Sequence, residues 1–569
     1  MDTLHDLAAM LADLPAGGHL SLPAGKYRLD GPLRITKPVE IAGAGMEETL
    51  LLAEGEGALI YLAAEGQVLL TGLTVTGLGS RHEALVVVEA GEATLRACRL
   101  HSGAAGGLIA RGQSAVRVEN CVVEENQRHG VEVGGEATLT VEKGSVRGNK
   151  GAGILFRERA KGKSASNEVS GNGGHGIAVE DQASPTLAGN GCRGNAGGGI
   201  CFAGQSVGEA SGNKCEENRT AGIILEGSAS PNLHFNHCHG NGEAGILCDA
   251  SATWLLWGNK CSRNPVGIRV TGQGGGKVDF NTCSGNGEFG IVIAGGGHVV
   301  MNTCSQNGVV GIHVHGDSTA HVEHNTCEEN RRSGILVTER ARPALSRNTC
   351  KGNPEAGIRV SDSSQPTLER NTCEGNGALG ILLEGRSAAT LRRNSSKQNP
   401  LGGIHVIDQA APELWRNDCT ANQAVGIRFG GTARGKVVEN SCSASEVGIL
   451  VEEEAGPELT DNRCHSNLKH GIAYRGAGAG KAVGNECWQN GVAGICLEGE
   501  ARPLLEKNQC RQAQAGIFAA SDAGAVATGN ICWGNKVGVL VGSGVHMDVS
   551  GGNSLRDNSH GNVARLAEK

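Results

Sequence analysis

The feature that most constrains this chain is a fixed period. Gly-Ile or Gly-Val pairs recur from Gly130, Gly153 and Gly176 through to Gly494, Gly516 and Gly538. They cover 408 residues in 18 steps, about 22.7 each, and no step leaves the range 21–23. Gly107-Leu108 and Ala84-Leu85 extend the register upstream. A repeat of this size cannot bury its apolar face alone, so the chain must stack its repeats as a solenoid.

The consensus is N-x-C-x-x-N-x-x-x-G-I-x-V, as in "NTCKGNPEAGIRV" at 348–360. Each apolar segment is short, alternating and β-branched, which predicts strands. No segment between turns is long enough, or spaced at i, i+3, i+4, to form a helix. That argues against leucine-rich repeats, and a left-handed β-helix of hexapeptides prefers a period near about 18. Three short strands per coil, wound as a parallel stack of about 20 or more coils, fit best. With aromatics at 3% of the sequence, the core must be built from small and β-branched residues.

The pattern resembles the right-handed parallel β-helix superfamily, whose coils carry N-x-[IC]-x-x-N-x-x-x-G-I-x-V. The opening "HLSLPAGKYRLDGPLRITKPVEIAGAG" also looks like the first coils of pectate-lyase-like proteins. The resemblance implies an all-β, single-stranded right-handed parallel β-helix. It leaves function open, because this superfold hosts lyases, hydrolases, epimerases, a copper-loading periplasmic protein and F-box ubiquitin-ligase subunits. The repeats look most similar to those of the last two.

Three segments are expected: an amphipathic capping helix in 1–18, the β-helix over 19–553 and a polar tail over 554–569. The helix rests on Leu4, Leu7, Leu11 and Leu14 on one face, with Thr3 and Asp6 in capping-box spacing. The N-terminus lacks a basic segment followed by an apolar run, and no run of about 18 apolar residues occurs, so a cytoplasmic protein without a membrane span is expected. A net charge of −8 with no block of like charges gives no footprint for nucleic acid or a membrane surface.

Seventeen of the 20 cysteines fall in one column, including Cys192, Cys215, Cys350, Cys373 and Cys532. In-register stacking holds them too far apart for easy bridging, and metal-ligand spacing such as C-x₂-C is missing. They read as small, soft hydrophobes filling a corner, reduced in the native state. Two asparagine series, one including Asn190, Asn213, Asn325, Asn348 and Asn371 and the other Asn195, Asn218, Asn330, Asn353 and Asn376, are expected to stack at bends. Each amide would bond the next, because a buried amide without partners costs a few kcal/mol.

Function is then sought in the column the fold leaves free, the x of G-I-x-V, which points outward. Mid-chain it reads Arg269, Val292, His313, Leu336, Arg359, Leu382, His405, Arg428, Leu450, and its ends are apolar. Arg269, His313, Arg359, His405 and Arg428, with Leu336 and Leu382 between them, form a candidate docking stripe for an acidic protein partner, with a glycan as the lesser option. The plain alternative is that these are solvated positions that tolerate anything. Asp362 near Arg359 and Asp408 near His405 make an acid–base pair conceivable. No catalytic residue, metal ligand or cofactor is assigned. Two features weigh against polysaccharide chemistry: the five tryptophans look scattered, and uniform coils leave no room for walls around a cleft. The expected function is a non-catalytic binding or scaffold protein. The alternatives are a carbohydrate-active enzyme (polysaccharide lyase, hydrolase or epimerase) using the Arg/His face, and a self-associating structural rod.

Overall fold

The computed structural model describes residues 7–566 apart from 30, 54–56, 78–82, 273, 521, 544 and 546. It is an all-β parallel solenoid of about 23 turns. The chain divides into two compact units, Met1–Thr282 and Cys283–Lys569. Among the described residues no helix is long and apolar enough to cross a membrane.

One coil of the second unit shows the plan. A long strand Val310–Val314 is followed by a turn, a middle strand His321–Glu323 and a third strand Thr326–Glu328 that carries the cysteine. The next coil repeats this with Ser333–Val337, Ala344–Ser346 and Thr349–Lys351. Pairing is parallel and in register, so like stacks on like: Ile312 on Ile335, Val322 on Leu345, Cys327 on Cys350. Identical coils must fill identical corners, which is why the sequence repeats.

The two corners flanking the cysteine strand share one device. A residue in the left-handed region precedes each inward asparagine, as His324 (φ 54°) precedes Asn325 and Glu329 (φ 53°) precedes Asn330. That conformation costs a residue with a Cβ roughly 1–2 kcal/mol. Several coils place glycine there, including Gly352 and Gly375. The asparagine then closes the corner. Asn348 Nδ2 donates to Asn371 Oδ1 at 2.9 Å and to the Val322 carbonyl at 2.8 Å, while its backbone N–H donates to the same Oδ1 at 3.0 Å. In the second unit this ladder runs unbroken from Asn302 to Asn553. The first unit has the same construction, for example Asn213 to Asn236 at 2.9 Å. The second ladder is interrupted where Ser445 and Ala513 replace asparagine, and only their backbone N–H groups bond on to Asn467 and Asn535.

All twenty cysteines are buried. Burial, with hydrogen bonds from neighbouring thiols, holds Cys327 and Cys442 well above the ordinary cysteine value. The glycine of G-I-x-V follows from the same corner. A Cβ on Gly357 would meet the Gly380 carbonyl at 2.7 Å and Cys373 Cβ at 2.8 Å, so this glycine is required for space. Where serine replaces cysteine, Ser396 Oγ must find polar partners and donates to the Gly403 carbonyl at 2.7 Å.

The expected N-terminal helix is present, whereas the C-terminal stretch differs from the sequence reading. The N-terminal helix spans Leu7–Ala12, with Leu7 and Leu11 buried, and Lys37 Nζ donates to the Ala12 carbonyl at 3.0 Å at its C-terminus. Leu4 and the Thr3–Asp6 cap lie outside the described residues. The stretch read as a polar tail carries two more strands: Ser554–Arg556 pairs with Ile531–Trp533, and Val563–Arg565 with part of Val537–Val541. Asn553 and Asn558 continue both ladders, so the coil pattern runs on beneath a composition that looks like a tail.

Candidate functional site

In each coil the long strand turns two kinds of residue outward, the residue before the glycine and x. The residue after the valine flanks them. In the second unit, x residues stack in direct register from His313 through Leu336, Arg359, Leu382 and His405 to Arg428. These positions therefore align there as one column. Arg269 belongs to the first unit, where it pairs with Leu247, and its Nε is buried without a hydrogen-bond partner.

The column faces outward, but it is not a solvated strip. Neighbouring strands and both flanking columns crowd it, so Leu450, Ala473 and Cys496 are buried, together with Val425, Val447, Ala493 and Ala515 of the preceding column. These seven form an apolar cluster of their own, with Phe518 and Leu540 at its margin. His405 is 8% exposed and folds into space left by Gly402, where a Cβ would sit 2.2 Å from its Nε2. That nitrogen has no hydrogen-bond partner. Burial, and secondarily Arg428, lower His405 to about 4. His313 is also lowered to about 4, by burial and then by His315; it stacks between Phe289 and His315 and contacts Thr338 Oγ1 at 3.0 Å.

The arginines are not free cations. Arg359 donates from Nε to Glu384 Oε1 at 2.7 Å and lies 3.6 Å from Glu355. Arg428 pairs with Glu452 at 2.5 Å and lies 3.8 Å from Glu453. The acid–base pairings drawn from adjacency are corrected by this geometry. Asp362 accepts from the Glu339 backbone N–H at 2.8 Å, and Asp408 from that of Gly385 at 2.9 Å. Both acids cap turns of the preceding coil, because their carboxylates meet a left-handed turn there before they can reach the stripe.

Reading the ends of the column as apolar passed over three residues: Glu132 and Cys201 in the first unit and Cys496 in the second. Glu132 is buried and pairs with Arg157 at 2.6 Å. Glu180, in the same flanking column as Arg157, is raised above the usual carboxylate value by burial and then by Asp181. His129 and His175 accept backbone N–H bonds from Ala152 and Gly198 at 3.0 and 2.9 Å, and burial lowers both. They are neutral structural acceptors. In the second unit, His470, Cys496 and Glu498 bring a ring nitrogen, Sγ and a carboxylate oxygen within 4.8 Å of one another. One period plus a small offset separates His470 from Cys496 and Glu498, which is the signal a column-by-column reading misses.

The tryptophans are also less scattered than expected. Trp488 stacks on His465 with centroids 4.3 Å apart, and Arg511 lies between Trp488 and Trp533, at 5.4 and 5.5 Å from their rings. In the first unit Phe235, Trp257 and Phe280 meet edge to face along one corner.

The family model described as "Right handed beta helix region" matches residues 52–191, 129–283, 266–420 and 413–559. The chain belongs to the right-handed β-helix family. No curated protein matches it. Among solved structures it is similar to ORF18 of Geobacillus virus E2, at 12% identity over 49% of this chain and 57% of that one, with TM-score 0.33. The chain thus spans little more than half of that protein. It is also similar to a periplasmic alginate epimerase (16%, 59% and 84%, TM-score 0.40) and to the catalytic unit of a GH87 α-1,3-glucanase from Streptomyces thermodiastaticus (16%, 60% and 66%, TM-score 0.36).

Proposed function

We propose that this β-helix is a non-catalytic binding protein that docks a protein partner on the outward long-strand face of its second unit. The observation that carries this reading is the alternation of half-buried Leu336 and Leu382 with Arg359 and Arg428, each arginine already tied to a glutamate of the next coil. Such a face is ordered before it meets anything, so little side-chain entropy opposes docking. Its leucines supply apolar contact and its arginines directional donors. Leu401, 56% exposed beside His405, extends the apolar contact at the margin. Because the charges are internally paired, a partner of mixed surface suits the face better than a strongly acidic one. Histidines at about 4 are poor general bases at neutral pH, which favours binding over catalysis here. The test is cross-linking and co-purification from the native cell, followed by affinity measurement with the purified partner. Leu336→Ala with Leu382→Ala should weaken binding at least about tenfold (~1.4 kcal/mol) while the β-rich circular dichroism of the folded chain is retained. Unaltered affinity would remove the stripe from the interface.

A second reading, carbohydrate-active chemistry, rests on the first unit. There Glu180, raised by burial, lies near the Arg157–Glu132 pair, an acid beside an anchored carboxylate. It predicts shortened or unsaturated products from acidic polysaccharides, lost in Glu180→Gln. Turnover at a useful rate would replace the binding reading.

A further inference from the structure

Three of the twenty cysteines stand outside the interior column: Cys201, Cys248 and Cys496. Cys248 points inward beside Leu225 and Val270, and nothing there asks for a thiol. Cys496 is different. It lies in the outward x column, directly above Ala473, in a stretch otherwise lined by Val425, Val447, Leu450, Ala473, Ala493 and Ala515. Into this apolar lining the preceding coil sends His470, 5% exposed, with Nδ1 buried and without a hydrogen-bond partner. A buried ring nitrogen without a partner is costly, so its presence among alanines and valines calls for a ligand.

We infer that His470, Cys496 and Glu498 form a binding site for a borderline-soft divalent metal of the zinc class. Their donor atoms all lie within 4.8 Å of one another, and Cys496 Sγ is 3.7 Å from Glu498 Oε1. Donors around a tetrahedral zinc, with bonds of about 2.0–2.3 Å, sit roughly 3.3–3.8 Å apart, so a small rotamer adjustment closes the set. A nitrogen, a thiolate and a carboxylate suit zinc or cobalt better than calcium or magnesium, which take oxygen. Arg475 Nε donates to the other carboxylate oxygen, Glu498 Oε2, at 2.9 Å. It fixes the carboxylate's orientation as outer partners of metal ligands do, leaving Oε1 for the ion. Its positive charge opposes the cation, whereas that of Lys469 beside His470 is already taken up by Glu446. The thiolate and the carboxylate, two negative charges, outweigh that opposition once the metal is in place. Binding forms a metal–sulfur bond and releases the thiol proton to water, so affinity falls as pH falls. Three protein donors leave the fourth tetrahedral position for water.

The interior cysteines provide a built-in control, since their column places cysteine on cysteine, and among the described residues the His/Cys/carboxylate grouping is that of His470, Cys496 and Glu498. The experiment titrates Co²⁺ into the reduced, metal-stripped full-length protein and follows thiolate-to-cobalt charge transfer in the near ultraviolet with tetrahedral bands in the visible. One equivalent should produce both. Zn²⁺ should bleach them and raise the melting temperature. Cys496→Ser should abolish the charge-transfer band, and His470→Ala and Glu498→Gln should each weaken binding at least tenfold. Wild-type protein showing no thiolate band would overturn the site without recourse to any variant. A band that survives intact in Cys496→Ser would overturn it equally, by moving the thiolate elsewhere.

Discussion

Ile358 and Arg359 are adjacent in the chain and one strand-face apart. Along the second unit the column of Ile358 runs Ile291, Ile312, Ile335, Ile381, Ile404 and Ile427, almost without variation and buried throughout. The column of Arg359 runs Val292, His313, Leu336, Leu382, His405 and Arg428. The first faces a space that every coil must fill identically. The second is also largely removed from water, yet it carries charge, imidazole and thiol. Variation in it is therefore not the tolerance of a solvated surface, since polar groups placed where water is scarce cost free energy and must be matched. Arg359 and Arg428 are matched by glutamates; His405 is not, nor is His470 in the column before the glycine.

The sharpest way to break this contrast is to truncate both columns. Ile358→Ala should lose about 2–5 kcal/mol in denaturant melts, whereas Leu450→Ala, whose cluster borders partly exposed Phe518 and Leu540, should lose no more than about 2 kcal/mol. Equal losses would make the outward cluster a second core. Acid probes the unmatched histidines. His405 is neutral in both folded and unfolded chains above about pH 7. Between 6.5 and about 4 the unfolded chain takes up a proton that the fold refuses. Stability should therefore fall by roughly 1.4 kcal/mol per pH unit in that window, on the order of 3 kcal/mol in all, and then level off for this group. His405→Gln should flatten the slope measured by urea melts across that range; an unchanged slope would mean the ring is open to water.

The asparagine ladder tests the interior more gently. Asn348→Ala removes the acceptor of two Asn325 N–H groups and a donor to both Asn371 and the Val322 carbonyl, so about 1–3 kcal/mol should be lost. Glu339→Ala is the quiet control. Its side chain is 59% exposed and its backbone already sits at φ 62°, so the change should stay within about 0.5 kcal/mol. Equal effects of these two substitutions would count against a load-carrying ladder.

The sequence by itself determined the coil. Period, strand pattern, the Asn348 and Cys350 columns and even the need for a small residue at the corner follow from one requirement, that each coil meets a copy of itself. Stacking carries that local pattern into three dimensions unchanged, so like lies on like. The tail escaped this reading only because Asn553 and Asn558 are set among residues of low apolar content. What tertiary structure alone decided is depth and offset. That the x column points outward was legible; that Ala473 and Cys496 are nonetheless sealed from water depends on the flanking columns closing over them. Adjacency suggested Asp362 for Arg359, but the side chain reaches one coil on to Glu384, because Asp362 is already engaged by a backbone N–H of the coil before. The meeting of His470 with Cys496 and Glu498 is of the same kind: each residue sits in a different column, and only the stacking of one coil on the next brings the His470 ring to the thiol and carboxylate.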